Sequence, residues 1–495
     1  MTISSCTACR IWLWSGIILI TLLLLSAAIH FGRDKPVVYA DPVEHFKYGS
    51  TGGDRVMGFP KRVFLALPEI CGQYLPGKGY ASLGMIFEPG HDLPVGMTQR
   101  RHLGIDRTFL NCAVCHTSTV RVKADAAPIL VAGMGANTFN LMAFEKFINS
   151  CMSDVKFSTE YLVPIIDAQA TQEQRPKLSL LDRYVVYPVA IALMRDRVTT
   201  LMHRLRFHDT QPDWGPGRVD TFNSAKALFN FPVEQLPHEE LIGVADFPTI
   251  WNQGKKTDMQ LHWDGNNNFV AERNLNAAFG TGATPSTLDH AAMARIQAWN
   301  ASATPPAFGK YFPIDTGKAQ YGAMIYKEYC AACHGVNGSD FAGEYVGKVT
   351  PLNVIGTDPN RLNSFTPALA ENLGTPYAGT PYLFTHFRKT WGYANAPLDG
   401  LWLRAPYLHN GSVPTLWDLL RPAAQRPTLF YRGNDLYDPV KLGFVSDMAQ
   451  EGDKPYFAYD TEKPGNGKAG HTGKAFGTEL PDADKWALLE YLKTF

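Results

Sequence analysis

Ile11 to Phe31 is an almost unbroken apolar run with IILITLLLLSAAI at its centre. About twenty apolar residues suffice for a helix to cross the hydrocarbon core of a bilayer, so the run predicts a transmembrane anchor. A cleaved signal peptide is the alternative, but the run is longer than an ordinary signal core and its best cleavage position, after Ala40, lies far downstream. Residues 1–10 then read as a cytoplasmic tail and 32–43 as a linker. A second apolar stretch, YVVYPVAIALM, lies within a helical pattern from Leu178 to Phe207. It is too short to span a bilayer and Pro188 predicts a kink, so a buried helix is the first expectation and a surface-dipping one the second.

Helical spacing returns near the end of the chain. In GKAQYGAMIYKEY, Gly322, Ile325 and Tyr326 share one face of a helix expected over Lys318–Tyr329. In LPDADKWALLEYLKTF, Asp482 and Asp484 occupy the first turn, where the helix dipole favours anions, and Trp486, Leu489 and Leu492 follow at intervals of three. A small residue on the first helix would let the two cross closely. These segments bracket a C-terminal unit, residues 313–495, after an N-terminal unit with insertions, residues 44–312. With 43 Gly and 34 Pro in 495 residues, the fold expected is mainly α with long loops.

Lys+Arg and Asp+Glu both number 46, so the chain lacks the net basic charge that nucleic-acid binding demands, and no nucleic-acid partner is expected. Its chemistry lies in the cysteines. CAVCH at 112–116 and CAACH at 330–334 repeat one pattern, which 8 Cys and 14 His in 495 residues would produce by chance only about 0.004 times. Two thiols three positions apart reach the two vinyl groups of one haem, and the next residue sets its imidazole under the iron. The expectation is therefore two covalently bound haem c groups, held by Cys112, Cys115 and His116 and by Cys330, Cys333 and His334. A zinc site would need a second ligand pair nearby, and none stands out. Haem attachment of this kind places both units in the periplasm, with the anchor in the inner membrane. Cys6 and Cys9 form a C-x-x-C without a following histidine and read as idle thiols. Cys71 and Cys151 could form a disulfide.

The distal ligand decides between electron transfer and binding of an oxidant. His409, on the Pro- and Gly-bounded loop APYLHNGSVP, and His262, in LHWDGNNNFVAERN, are the candidates, each weighed against a structural histidine. Trp263 offers a flat ring to pack on or between haem edges. Asp264 to Asn268 form an oxygen-rich turn that could take calcium, although an Asx-turn loop is the simpler reading. Glu272 and Arg273 place an acid/base beside a fixed cation, against the plainer alternative of a surface ion pair.

The chain resembles the di-haem cytochrome c peroxidase superfamily, and more closely its rubber-oxygenase-like branch. The resemblance is carried by HFKYGS (45–50), LNCAVCHTSTVR (110–121), FPTIWNQ (247–253), LHWDGNNNFVAERNLNAAFGTGATP (261–285), YCAACHG (329–335), LDGLWLRAPYLHNGSVPTLWDLLRP (398–422) and the ending from His471 to Phe495. It implies two facing cytochrome c-like domains, one haem relaying electrons and the other binding peroxide or oxygen. It also implies a distal histidine from a loop after the second haem box, which favours His409, and similarly His262 for the first haem. The function expected is a peroxidase-like oxidoreductase that exchanges electrons with a periplasmic donor or acceptor and reduces a small oxidant. Glu272 would move a proton and Arg273 would stabilise the departing charge. The alternatives are an electron carrier with both irons doubly ligated and an oxygenase acting on an apolar substrate. An uncleaved anchor and a shorter chain set this sequence apart from the rubber and fatty-acid oxygenases.

Overall fold

A computed structural model describes residues 7–380 and 382–495. Cys6 and the rest of residues 1–6 lie outside the described residues. The apolar run folds as helix α1, Thr7–Gly32. Its span Ile11–Gly32 has 22 residues with mean hydropathy 2.2, none of them buried against the rest of the chain. At 1.5 Å per residue that is about 33 Å of helix, apolar and long enough to cross a bilayer.

Four short strands follow: β1 (Asp34–Pro36), β2 (Phe59–Pro60), β3 (Arg100–His102) and β4 (Ile105–Thr108), ordered β1-β3-β4-β2 and antiparallel throughout. Asp34 opposes His102, so the end of α1 feeds directly into this sheet. Buried Arg100 locks the junction. Its guanidinium donates to Asp34 at 2.7 Å, Asp54 at 2.9 Å and Asp289 at 2.7 Å, so a buried cation is fully met by carboxylates.

Helix α2 (Leu141–Ser153) packs beside α3 (Tyr187–Arg204) in an apolar core that also holds Phe64, Leu67, Met97 and Phe147. Asn140 caps α2 by accepting the Ala143 amide at 3.0 Å. The break expected at Pro188 takes the form of a π-helical turn, Asp182–Val186, with Pro188 then in the first turn of α3, where its missing N–H costs no helix bond. Cys71 and Cys151 are joined by a disulfide inside this core, their Cα atoms 5.4 Å apart.

Helices α4 (Val270–Gly280), α5 (Thr316–Tyr329) and α6 (Asp482–Leu492) complete the frame, with long loops and six two-stranded ribbons among the described residues. The crossing of α5 and α6 depends on Gly322, since a Cβ there would lie 2.0 Å from the Ala487 carbonyl oxygen. Trp486, expected at this crossing, turns outward and stacks on Trp417 with ring centroids 3.9 Å apart. The core around α5 and α6 reaches back across the 312/313 boundary, taking in Val120, Val131 and Trp251 beside Trp402, Tyr437 and Leu488. The two units therefore share a hydrophobic core.

Candidate functional site

Each C-x-x-C-H segment forms a single helical turn, so the two thiols, three positions apart, share a face. All four thiols are unpaired and half-buried. The first turn is held by Asn111, whose side-chain oxygen caps Ala113 at 2.9 Å while its amide donates to the carbonyls of Phe46 and Gly49. That ties the HFKYGS segment to the CAVCH segment.

The two histidines are prepared alike. His116 Nδ1 lies 2.8 Å from the Pro248 carbonyl oxygen, and His334 Nδ1 lies 2.8 Å from that of Ala396. A carbonyl can only accept, so Nδ1 carries the proton in both rings and Nε2 keeps its lone pair for a metal. Burial lowers both pKa values, that of His116 to about 4, which keeps the rings neutral.

The ring that faces His334 is His471. Their centroids are 6.4 Å apart with planes inclined at 42°. His334 and His471 are the residues that would hold a haem iron in the C-terminal unit. His471 Nδ1 is buried without a hydrogen-bond partner, and burial with His334 nearby lowers the pKa to about 3. Its backbone has φ +50°, which an unconstrained histidine rarely adopts. Arg426 imposes that shape: its buried guanidinium donates to the carbonyls of Lys468 at 2.7 Å, Gly470 at 2.8 Å and His471 at 3.0 Å.

His409 is placed differently from the sequence expectation. It is buried with Nε2 3.2 Å from the Tyr393 hydroxyl and its ring against that of Tyr393, and its backbone carbonyl accepts the Asp246 amide at 2.9 Å. It is a packed loop-corner histidine. His471 could have been flagged from the sequence only by its Gly-flanked loop, a feature it shares with His409.

A cavity between the two histidine-bearing segments is lined by Pro248, His262, Trp263, Arg273, Ala396 and Arg404, among others. Trp263 lines this cavity, its indole donating to the Asp246 carbonyl at 2.9 Å. His262 Nδ1 is 2.5 Å from the Asn266 side-chain oxygen, and burial with Arg273 nearby lowers the ring pKa to about 3. Among the described residues no aromatic ring is paired with His116. Four cations line the cavity, Lys256, Arg273, Arg404 and Arg432, but only Asp246 and the adjoining Asp399 answer them. Arg273 has no carboxylate within ion-pair distance among the described residues, and burial pulls its pKa down to about 10. Burial similarly lowers Lys256 to about 8. Buried positive charge in excess calls for anions. The propionates of covalently held haem would supply them, so donors, thiols and charges all fit that group.

Glu272 is spent elsewhere. Its carboxylate accepts the amides of Thr385 at 2.8 Å and His386 at 3.0 Å, with the His386 ring at 2.8 Å, and so clamps the 385–386 loop onto α4. In the oxygen-rich turn Asp264 commits Oδ1 to its neighbours, while its buried Oδ2 has no hydrogen-bond partner among the described residues. Asn266 donates to Asp264, Arg361 lies 3.5 Å from the same carboxylate, and Asn267 accepts the Phe269 amide. The Asn267–Phe269 bond makes an Asx turn, and among the described residues no group of three or more His, Cys, Asp or Glu is placed to hold a metal ion.

Residues 392–431, which carry Ala396, Arg404 and Arg426, match the RoxA-like, cytochrome c-like family. The chain is also similar to two proteins of Sinorhizobium fredii (strain NBRC 101917 / NGR234). It is 35% identical to uncharacterized protein y4iJ over 237 residues, 37% of this chain and 39% of that protein. It is 31% identical to uncharacterized protein y4iM over 327 residues, 58% of this chain and 72% of that protein. The chain belongs to the y4iM family. The match over residues 392–431 supports, at a coarse level, a likeness of this chain to rubber-oxygenase-like cytochromes and implies haem c. The match to y4iJ spans about two-fifths of that relative's length.

Proposed function

We propose that this chain is a membrane-tethered, periplasm-facing c-type cytochrome with two covalent haems, acting as a peroxidase-like oxidoreductase. The reading rests on one asymmetry: His334 is faced by His471, whereas His116 has no such partner among the described residues. The second site is then the closed, electron-relaying one, and the first is where peroxide or another small oxidant is reduced. Bound haem would supply one-electron redox chemistry at both sites.

The chain's own residues supply the rest. Arg273 keeps an unpaired positive charge beside the first site, available to stabilise negative charge that develops on a reacting oxygen. His262 commits Nδ1 to Asn266, which leaves Nε2 to accept a proton and hand it on. Glu272, occupied by the 385–386 loop, positions α4 rather than moving protons. Helix α1 tethers the protein in the inner membrane, and the Cys71–Cys151 disulfide suits the oxidising periplasm, where a small redox protein would deliver electrons.

Two other readings each have an observation behind them. Ligation of the first iron by His262 would close both sites and make the protein an anchored electron carrier. Phe279, Phe384 and Phe387, clustered beside Cys112, would suit an oxygenase acting on an apolar substrate.

Stepwise reduction of the haem-loaded protein, with carbon monoxide added at half and full reduction, separates these readings. A shift amounting to one haem is expected, accompanied by peroxide turnover. No shift at either stage would replace the enzyme by an electron relay. A stable oxygen adduct without peroxide turnover would favour the oxygenase.

A further inference from the structure

The helical segment that runs from Leu180 through α3 buries only one of its two apolar faces. Val186, Tyr187, Ile191, Met194 and Val198 point into the core. Leu180, Leu181, Tyr184, Val185, Val189 and Leu193 point out, and all are exposed, Leu180 by 76% and Tyr184 by 71%. Leu181, Val185, Val189 and Leu193 recur every four residues, so they form a continuous stripe along the helix. Beyond Leu193 the outward face turns polar with Arg195, Asp196 and Arg197. A scattered exposed Leu or Val is ordinary, but a stripe several turns long on an otherwise well-packed body marks an interaction surface.

The neighbourhood of the stripe identifies its partner. Phe31, at the end of α1, packs against the same core that receives the inner face of α3. The tip of the β3–β4 hairpin touches that end too, since a Cβ on Gly104 would lie 2.9 Å from the His30 ring and 3.0 Å from that of Phe31. Beside Gly104, Leu103 is 51% exposed in a left-handed conformation that turns the hairpin tip. Tyr187, at the start of α3, is buried in that same core. The end of α1 and the inner face of α3 thus meet in one apolar core, and Leu103 sits on the hairpin that touches that end of α1.

We propose that the α3 stripe and Leu103 rest in the interface of the bilayer that α1 crosses, giving the protein a second, monotopic membrane contact. An amphipathic helix with Leu, Val and Tyr on its outer face inserts shallowly among headgroups, and aromatic Tyr184 suits that depth. The contact holds the soluble body at a fixed attitude, where the single tether of α1 would let it swing. The inference rests on α1 spanning the membrane, and the test separates the two.

Full-length, haem-loaded protein with Cys6 and Cys9 replaced by Ser carries a single nitroxide at Leu23→Cys, Val189→Cys or Val440→Cys, in phosphatidylethanolamine/phosphatidylglycerol bilayers. Oxygen and a water-soluble nickel chelate serve as the two relaxing agents. The expected result is high oxygen and low nickel accessibility at positions 23 and 189, with the reverse at the exposed control position 440. A lipid signature at 23 with a water signature at 189 would overturn the second contact and leave the anchor standing. A label at 189 shielded from both agents would mean that protein covers the stripe, and would also overturn it. A water signature at 23 would remove the anchor and the inference together.

Discussion

The imidazoles of His334 and His471 face each other with centroids 6.4 Å apart, although they come from opposite ends of the C-terminal unit. His471 Nδ1 is buried without a hydrogen-bond partner among the described residues, and Arg426 holds its loop by three carbonyls. In haem-loaded protein, His471→Ala is expected to convert one haem from six-coordinate low-spin to a form that binds carbon monoxide on reduction. His409→Gln is expected to leave the coordination spectrum unchanged, because its ring bonds to Tyr393. The opposite pattern in the two spectra would assign the ligand to His409.

Of the cations that line the cavity, Arg273 is the one with no carboxylate at ion-pair distance among the described residues, and it lies near Cys112 of the first C-x-x-C-H segment. Arg273→Gln keeps much of the bulk and removes the charge. Losing ~1 kcal/mol of favourable interaction with an added electron corresponds to a fall of roughly 40 mV in a one-electron potential. Redox titration is expected to show this fall at the first haem, with the second nearly unmoved. Equal shifts at both haems would mean that the charge serves the whole cavity.

Glu145 on α2 lies 3.6 Å from His208 in an apolar setting. Burial pushes the carboxyl up to about 8 and the imidazole down to about 4, so both are neutral near pH 6. Between its ordinary 4.5 and about 8, the folded chain holds a proton on Glu145 that the unfolded chain has released. That stabilisation is fully present below 4.5 and is lost as pH rises through 8. His208 acts oppositely, adding stability as pH rises from about 4 to its ordinary 6.5. Above pH 6.5 only the carboxyl slope remains. Denaturant unfolding of the native protein is therefore expected to weaken from pH 6.5 to 9 relative to Glu145→Gln. Parallel pH profiles would show that Glu145 is already ionised in the fold.

The Cys71–Cys151 bridge closes a loop with a sequence separation of 80 residues. In the chain-entropy picture a loop of that length contributes about 4–5 kcal/mol by restricting the unfolded chain. Cys71→Ser with Cys151→Ser is expected to lower the denaturant midpoint of the N-terminal core, monitored by Trp214 or by far-ultraviolet dichroism. Reductant added to the native protein would have the same effect, and a midpoint indifferent to both would place the stability elsewhere.

Contiguous features were legible in the sequence because their chemistry needs only neighbours along the chain. The C-x-x-C-H segments, the apolar run of α1 and the Gly322 crossing are of this kind, since spacing alone sets which groups share a turn or a face. Long-range geometry decided the rest. His409 and His471 both sit on glycine-bearing loops, and only the fold, through Arg426, turns His471 toward His334. Glu272 and Arg273 are adjacent in sequence, yet helical neighbours point about 100° apart, so one clamps a loop while the other lines the cavity. In and just before α3, the same apolar alphabet covers both faces, and only the packing of the core shows which face is left exposed.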